Sequence, residues 1–134
     1  MISLRASKPE DLDSISDVYA ATHMIDPQDV KLEPVGDSQQ VQIFCAENED
    51  QKIIGAITAR IAGKHGVISK LAILDQYRRQ GTASKLLKMA EDWLHQRNAK
   101  LVFVYVFQDN DTAKQFYQNN AYDLRPLQVY KKAL

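Results

Sequence analysis

The hydrophobic period of the chain changes near residue 75, and this change limits the folds available to it. Before that point, residues 41–45 alternate between apolar and polar, and two further apolar runs occupy 53–61 and 67–74. Such runs are typical of neighbouring strands joined by short turns. After that point the apolar residues fall at helical spacing, at Ala83, Leu86, Leu87, Ala90 and Leu94. We therefore predict an antiparallel meander followed by one long helix that ends near residue 98.

Further elements precede this central pattern. Alternation over residues 2–6 predicts a first strand, and Ser7 with Glu10 has the capping-box spacing that begins a helix, here over 8–22. Two prolines and a glycine interrupt residues 24–40, which we predict to be a loop with at most one short helical turn.

The last third of the chain predicts a strand, a short helix and two closing strands. Residues 101–107 form an uninterrupted apolar run, which is typical of a central strand covered on both faces. A helix over 111–119 follows, and the final strands are predicted at 122–124 and 127–132.

Length and composition indicate one globular domain. The chain has 134 residues, of which 45% are hydrophobic and 25% charged, so we assign residues 1–134 to a single domain. No run of eighteen apolar residues and no signal-peptide layout is present, so we expect no membrane partner and a cytoplasmic location. Cys45 is the only cysteine, which excludes an internal disulfide and a thiolate metal cluster. We expect Cys45 in the core and no bound metal.

Charge is balanced overall but unevenly distributed. Seventeen Lys and Arg match seventeen Asp and Glu, which gives no basic excess for a nucleic acid partner. Residues 1–63 nevertheless carry five basic against eleven acidic side chains, and the rest of the chain has the opposite excess. Either the charges are scattered over the surface, or an acidic face attracts a cationic partner and a basic face attracts an anion.

The segment 77–83 lies between a predicted strand and the long helix, and it has the composition of a phosphate-binding turn. A helix start exposes unpaired amides, and Gly81 lets an anion approach them without a Cβ in the way. Arg78 and Arg79 strengthen the preference for an anion. The alternative is a flexible turn with two solvated charges. A P-loop is excluded because the turn lacks Gly-Lys-Ser/Thr.

These residues resemble the cofactor motif of the GCN5-related N-acetyltransferase (GNAT) family, which is Arg or Gln, two residues, Gly, one residue, then Gly or Ala. The chain has Arg78-x-x-Gly81-x-Ala83. Residues 71–77 resemble the fourth strand of that family and its exit, and 54–57 resemble its third. Residues 110–117 are similar to its short helix, and 129–134 to its closing strand. The resemblance thus covers nearly the whole chain in the right order.

The resemblance implies an α/β (α+β) fold with a mixed, mostly antiparallel sheet of six to seven strands and about four flanking helices. Strands four and five would splay apart, and acetyl-CoA would bind in the wedge between them. By position, the pantetheine arm would meet the backbone of Ala72, Ile73 and Leu74, and Asn110 would contact it or cap a helix. Arg78 would screen the pyrophosphate charge. The amides expected to bind the pyrophosphate are those of Arg79, Gln80, Gly81, Thr82, Ala83 and Ser84.

The implied function is transfer of an acetyl group from acetyl-CoA to a primary amine, directly within a ternary complex. The Ile73 amide would polarise the thioester carbonyl, and Tyr117 matches the general acid of the family. Tyr117 has the alternative role of filling a helix interface. The strand-four glutamate of many relatives is absent, since this strand has Lys70 and no carboxylate before Asp75. The base is therefore open between Glu47 and ordered water.

A second departure from the family is Ala121, which stands where relatives usually have glycine. Alanine disfavours a left-handed helix stop, so we expect Asn119 or Asn120 to take that conformation and the helix to end one residue early. His23, His65 and His95 lie in unrelated elements, which favours surface or packing roles over catalysis.

In the family that the chain resembles, acceptor specificity comes from the first helices and the loop between the final strands, which draws attention to the acidic N-terminal part of this chain. Asp26, Asp29 and Glu33 form an acidic stretch suited to a polyamine-like, lysine-like or N-terminal amine. A non-catalytic CoA-binding module of the same fold, acting as a sensor or through protein contacts, remains the alternative function. Apolar strands near the C-terminus suggest a homodimer.

Overall fold

The computed structural model describes residues 1–22 and 40–134, whose strands form one five-stranded sheet. The first four strands pair antiparallel, whereas the fourth and fifth pair parallel. The predicted mixed, mostly antiparallel sheet is therefore confirmed. In spatial order the strands are β1 (Ser3–Ala6), β2 (Val41–Glu47), β3 (Ile53–Ala62), β4 (His65–Ile73) and β5 (Val102–Val104).

Three helices pack around this sheet in the part of the chain that the structure describes. They are α1 (Leu12–Ala21), α2 (Thr82–Gln96) and α3 (Asp111–Asn119). Two parallel strands need a long crossover connection, and α2 supplies it between β4 and β5. None of these helices has the length and apolar character needed to cross a membrane. The predicted helix over 111–119 has the bounds expected.

The sheet separates two hydrophobic cores. Ile15, Val18 and Tyr19 of α1 pack on one face against Cys45, and the Tyr19 and Thr58 hydroxyls lie 3.1 Å apart in a buried hydrogen bond. The apolar stripe of α2 covers the other face, where α3 also packs. Cys45 is fully buried and free, as predicted for a core residue.

The start of α1 differs from the predicted capping box of Ser7 and Glu10. A 3-10 turn at Pro9–Asp11 leads into the helix, and the carboxylate of Asp11 accepts the Lys8 backbone N–H at 2.7 Å. Asp11 is buried and receives two hydrogen bonds from the Arg5 guanidinium of β1, at 2.7 and 3.0 Å. The prediction was wrong because a partly buried ion pair, which spacing alone does not show, selects the capping carboxylate.

The predicted count of six to seven strands and about four helices was too high for the described residues. Residues 122–124 and 127–132 are not strands, since no residue within 1–22 and 40–134 pairs with them and a strand needs a partner for its hydrogen bonds. The run 101–107 contains only the three residues of β5. Because β5 is the last strand of the sheet, Tyr105 and Phe107 just beyond it are 71% and 83% exposed. The expected burial on both faces was therefore wrong.

The end of α3 corrects the prediction for Ala121. The helix ends at Asn119, and Ala121 itself adopts the left-handed conformation, with φ of 69°. The Tyr122 N–H donates to the Tyr117 carbonyl and the Ala121 N–H to the Gln118 carbonyl, at 3.0 and 3.2 Å. These bonds define a Schellman motif with alanine at the position glycine usually occupies. The two bonds hold Ala121 in a backbone conformation that its Cβ disfavours.

The acidic stretch of Asp26, Asp29 and Glu33 lies outside the described residues, as do His23 and most of the predicted loop 24–40. His95 is exposed on α2, as expected for a surface residue.

Candidate active site

Strands β4 and β5 diverge after three paired residues. Their register joins Gly66 to Val102 and ends with Ile68 opposite Val104. β4 continues to Ile73, so its second half has no partner on the β5 side among the described residues. The space beyond the last paired residues, called the wedge, lies where the family resemblance implies splayed strands, and one wall of it is a free backbone edge.

A β-bulge lies at the point where the wedge opens. Ala56 pairs with Ala72 and Thr58 with Ser69, so Ile57 alone faces two residues of β4. One of the two is Lys70, whose φ of 54° is left-handed. A bulge bends its strand and increases the local twist, which accounts for the separation of β4 from β5 beyond this point. The sequence offers no glycine here that would have revealed the bulge.

The pairing of β3 with β4 fixes which backbone groups face the wedge. The Leu74 N–H donates to the Ile54 carbonyl at 2.8 Å, and the Leu74 carbonyl accepts from Tyr77. Hydrogen-bonding directions alternate along an antiparallel pair, so the neighbouring Ile73 N–H and carbonyl point away from β3. Ile73 thus presents its amide to the wedge, whereas Leu74 offers only side-chain contact. Ala72, on the same alternation, turns its polar groups toward β3.

Two residues of the loop between β4 and α2 have a left-handed backbone conformation. Arg79 and Gly81 have φ of 64° and 79°. A Cβ built on Gly81 would meet no atom within 4 Å, so the space beside this backbone is open. Arg78 bonds through Nε to the Ile73 carbonyl at 3.2 Å and lies 3.3 Å from Asp75. One side chain therefore connects the loop to the free edge of β4.

The first turn of α2 adds unpaired amides to this loop. Gly81 is the N-cap and supplies no side chain to cap the helix. The N–H groups of Thr82, Ala83 and Ser84 precede the first intrahelical bond, which Lys85 donates to Gly81 at 3.2 Å. Arg78, Arg79 and Gln80 are exposed beside them. Free amides, the helix dipole and two guanidinium groups together favour an anion here.

A hydrogen bond that the sequence did not reveal supports this loop from behind. Asn48 Nδ2, in the β2–β3 turn, donates to the Tyr77 hydroxyl at 3.0 Å. The Asn48 side-chain oxygen accepts two further backbone N–H groups, from Asp50 and Lys52. Tyr77 packs against the larger core. The residue just before Arg78 is therefore fixed by groups from a distant turn.

Tyr117 lies on α3 in an apolar setting. Its residue is 8% exposed, and its ring contacts Phe116 and Tyr122 edge-on, with centroids 5.1 and 5.4 Å apart. Burial raises the pKa of Tyr117 to about 12. Within residues 1–22 and 40–134, the only buried side-chain polar atom without a partner is His65 Nδ1. No hydrogen bond holds the Tyr117 hydroxyl there, so that hydroxyl is reached from solvent and is free to donate.

Neighbouring residues set the position of Tyr117. Tyr122 donates from its hydroxyl to Glu91 Oε2 of α2 at 2.7 Å, while its backbone N–H closes the Schellman motif on Tyr117. Asn110 caps the other end of α3 by accepting the Ala113 N–H at 3.1 Å. The capping role weighed for Asn110 is thus observed. A contact of Asn110 with a bound ligand remains a prediction.

The one side chain considered for the base is constrained. Glu47 accepts hydrogen bonds from Arg5 at 3.3 and 3.4 Å, so its charge is already paired with a guanidinium. Lys70, which stands on β4 where many relatives have a glutamate, lies in the bulge and supplies no carboxylate. His65 packs edge-on against Phe103, with centroids 5.5 Å apart, as expected for a packing role.

A family model and a curated relative both match this chain. Residues 10–122 match the model of the acetyltransferase (GNAT) family. A curated relative, the chloroplastic GCN5-related N-acetyltransferase 6 of Arabidopsis thaliana, is 25% identical over 89 residues. That match covers 66% of this chain and 27% of the relative, so the chain corresponds to about a quarter of that protein.

Solved structures share the fold over the whole chain. Glucosamine-6-phosphate N-acetyltransferase from Arabidopsis thaliana matches with a TM-score of 0.76 and 16% identity, covering 98% of each chain. AAC(6')-Iy, solved with a bisubstrate analogue, CoA-S-monomethyl-acetylneamine, matches with a TM-score of 0.82 and 13% identity, covering 100% of this chain and 99% of its own. With the family match over most of its length, the chain belongs to the GNAT acetyltransferase family.

Proposed function

We propose that this chain is an acetyl-CoA-dependent N-acetyltransferase that acetylates a primary amine. The observation that carries the proposal is the continuity of two features. The unpaired edge of β4, ending at Ile73, leads directly into the left-handed loop and the free amides that begin α2. An elongated ligand with an anionic end and an amide-bearing arm matches both.

The residues present fit acetyl-CoA. Its pyrophosphate would lie on the amides of residues 79–84, where the open space beside Gly81 admits it and Arg78 and Arg79 offset its charge. Its pantetheine arm would lie along the free edge of β4, which ends at Ile73. When bound, acetyl-CoA supplies an activated thioester carbonyl. We expect that carbonyl to lie in the open wedge.

The chain contributes a hydrogen-bond donor and an acid to the transfer. The Ile73 N–H, fixed by the β3–β4 pairing, donates to the carbonyl oxygen as negative charge develops there. The amine nitrogen forms the new C–N bond while the C–S bond breaks. The Tyr117 hydroxyl then gives its proton to the departing thiolate, a step that contributes on the order of 10²–10⁴ in rate. A raised pKa keeps this hydroxyl protonated across the working pH range.

The amine must lose a proton before or during attack. Glu47 accepts two hydrogen bonds from Arg5, and no carboxylate lies on β4. We therefore assign this proton to ordered water in the open wedge rather than to a side chain. It follows that only the neutral form of the acceptor amine reacts. The rate with a given amine should therefore rise as pH approaches the pKa of that amine.

The acceptor we propose is a small cationic amine. Solved neighbours include an aminoglycoside acetyltransferase in complex with sisomicin, a protein of the same fold. The acidic excess of residues 1–63, with Asp26, Asp29 and Glu33 at its centre, is suited to such a substrate. Neutralising these three carboxylates should raise the acceptor KM and leave acetyl-CoA affinity unchanged. An unchanged acceptor KM would contradict this specificity.

The experiment that tests the activity measures thiol release from acetyl-CoA across polyamines, amino acids, aminoglycosides and peptides with free amines, with mass spectrometry of the product. In the Tyr117→Phe variant, kcat should fall about 10²-fold or more while acetyl-CoA binding is retained. Stability should change little, because the hydroxyl has no partner to lose and the ring contacts remain. Tyr130→Phe, at an exposed tyrosine, is the matched control.

A CoA-binding module without catalysis is the second candidate, favoured by the missing strand-four carboxylate. It predicts acetyl-CoA binding with no product in either the wild type or Tyr117→Phe. Turnover by the wild type on any amine would exclude it.

A further inference from the structure

Arg79 adopts a backbone conformation that its residue type disfavours. It lies in the loop between Tyr77 and the start of α2, and its φ is 64°. When nothing supports it, a residue with a Cβ populates this left-handed conformation about 5- to 30-fold less than the right-handed one. The Arg79 side chain is exposed and has no hydrogen bond or ion pair within residues 1–22 and 40–134. The residues on either side of Arg79 must therefore hold its backbone in place.

The helix α2 holds the far side of the loop. Gly81 is its N-cap, and without a Cβ it takes its own left-handed φ of 79° freely. The Gly81 carbonyl accepts the Lys85 N–H at 3.2 Å, so it already belongs to the helix. Leu86 and Leu87 pack the helix into the larger core. This end of the loop is therefore fixed by α2 itself.

Tyr77 holds the near side of the loop, and Asn48 holds Tyr77. The Tyr77 N–H donates to the Leu74 carbonyl at 2.9 Å in the 3-10 turn that follows β4. The Tyr77 ring is half-buried against the larger core, and its hydroxyl accepts a hydrogen bond from Asn48 Nδ2 at 3.0 Å. In the described part of the chain this is the one hydrogen bond of the Tyr77 hydroxyl. A movement of the loop that carries Tyr77 away from β4 must break it.

Asn48 is itself fixed by the turn between β2 and β3. Its backbone N–H donates to the Lys52 carbonyl at 2.9 Å, and its carbonyl accepts the Gln51 N–H at 3.0 Å. Its side-chain Oδ1 accepts the N–H groups of Asp50 and Lys52 at 2.9 and 3.0 Å. The side-chain oxygen thus serves the turn while the nitrogen serves Tyr77, a division that an amide group allows. The turn provides a rigid support from which Asn48 reaches the loop.

We infer that Asn48 is a positioning residue for acetyl-CoA, an inference that rests on the proposed function. Through its bond to Tyr77 it keeps residues 78–81 in the conformation that receives the pyrophosphate. Asn48 acts on the loop through Tyr77, so acetyl-CoA is not required to touch it. When the bond is lost, a smaller fraction of molecules has a binding-competent loop, and the apparent Kd rises as that fraction falls.

The size of the effect follows from the loss of one hydrogen bond between neutral groups. Such a bond changes an equilibrium by a factor of about 2–12. Because Arg79 without support favours another conformation, the competent fraction depends directly on each supporting bond. Tyr77→Phe should therefore raise the acetyl-CoA Kd about 3- to 10-fold. The acceptor KM and kcat at saturating acetyl-CoA should stay near the wild-type values, since the wedge and Tyr117 are unaltered.

The test is a double-mutant cycle on Asn48 and Tyr77, with the acetyl-CoA Kd measured by calorimetry. Tyr77→Phe removes the hydroxyl and leaves the turn intact. Asn48→Ser keeps a side-chain oxygen for the turn but is too short to reach Tyr77. Each substitution should raise the Kd by a similar factor, and the double variant should bind no more weakly than either single variant. Gln51→Gly, at a residue of the same turn with φ of 62°, is the matched control and should leave the Kd unchanged.

Trypsin cleavage reports on the loop without any ligand. Trypsin cuts after arginine and lysine, and Arg78 and Arg79 are both exposed in the loop. Cleavage of a native loop follows the population of its opened form when opening is fast. The initial rate of cleavage at these two sites should therefore rise about 3- to 10-fold in Tyr77→Phe and in Asn48→Ser. The rate at Lys131, which is exposed near the C-terminus, should not change and is the internal control.

Two binding results would overturn the inference. The first is a Tyr77→Phe variant that binds acetyl-CoA as tightly as a wild type that does bind it. The second is a pair of effects that add in the double variant, since Asn48 and Tyr77 would then act independently. A wild type without affinity for acetyl-CoA would contradict the proposed function instead. In that case raised trypsin rates at Arg78 and Arg79 would still support the link from Asn48 to the loop, and unchanged rates would overturn it.

Discussion

Ala121 offers a direct test of the helix end that supports Tyr117. Its φ of 69° places an alanine at the left-handed position of the Schellman motif. A residue with a Cβ loses about 1–2 kcal/mol in this conformation relative to glycine. Glycine also increases the conformational entropy of the unfolded chain, which reduces the expected gain in stability by about 0.4–1 kcal/mol. Ala121→Gly should therefore stabilise the protein by about 0.5–1 kcal/mol.

The assay is thermal and urea unfolding followed by circular dichroism. For a domain of this size the gain corresponds to a rise of about 2–4 °C in Tm. Ala113→Gly is the matched control, since Ala113 lies within α3 at ordinary helical geometry. That substitution should lower stability by about 1 kcal/mol. A loss of stability in Ala121→Gly similar to that in Ala113→Gly would refute the assigned backbone conformation.

Three further predictions concern the β4 edge and the two cores. In Gly55→Ala the new Cβ would lie 2.5 Å from Ile73 Cδ1 and 3.1 Å from the Ala72 carbonyl oxygen. The free energy of unfolding should therefore fall by about 1–3 kcal/mol, and the Kd for acetyl-CoA should rise. An unchanged Kd would contradict the assignment of the cofactor to this edge of β4. The Arg5 guanidinium lowers the pKa of Asp11 in the folded protein. The stability that this ion pair contributes is therefore present above the unfolded-state pKa of about 4, and it is lost as pH falls through the lower folded-state pKa. Asp11→Asn should accordingly cost about 1.5–3 kcal/mol at pH 7 in urea unfolding, and the difference from wild type should shrink below pH 4 rather than persist. Cys45 is fully buried with a pKa raised to about 11 by burial, so alkylation should require unfolding; rapid labelling of the native protein would show that this core opens.

The periodicity of the sequence was sufficient to predict the elements that pack against something in the same chain. The meander, α2 and α3 were predicted correctly because their apolar faces meet a partner inside the domain. Residues 123–134 have the same strand-like pattern but form no strand. Composition indicates that a segment is able to pair, and it does not indicate where its partner lies.

The candidate site was only partly predictable for a related reason. The turn at 78–81 was recognisable because glycine and arginine at a helix start carry a physical meaning of their own. The bulge at Lys70, the Asn48–Tyr77 hydrogen bond and the Glu91 partner of Tyr122 depend on residues far apart in sequence. Lys70 and Ala121 both take left-handed conformations that their residue types disfavour, so local preference alone predicted the opposite at Ala121.

The central claim is that acetyl-CoA binds along the free edge of β4 and over the start of α2. A titration of isotopically labelled protein with acetyl-CoA, followed by backbone amide NMR shifts, tests it most directly. The account predicts that the largest shifts fall on the amides of 79–84 and on Ile73, with the Leu74 amide, already bonded to Ile54, moving less. Saturable shifts confined to other surfaces, or none at millimolar acetyl-CoA, would contradict it.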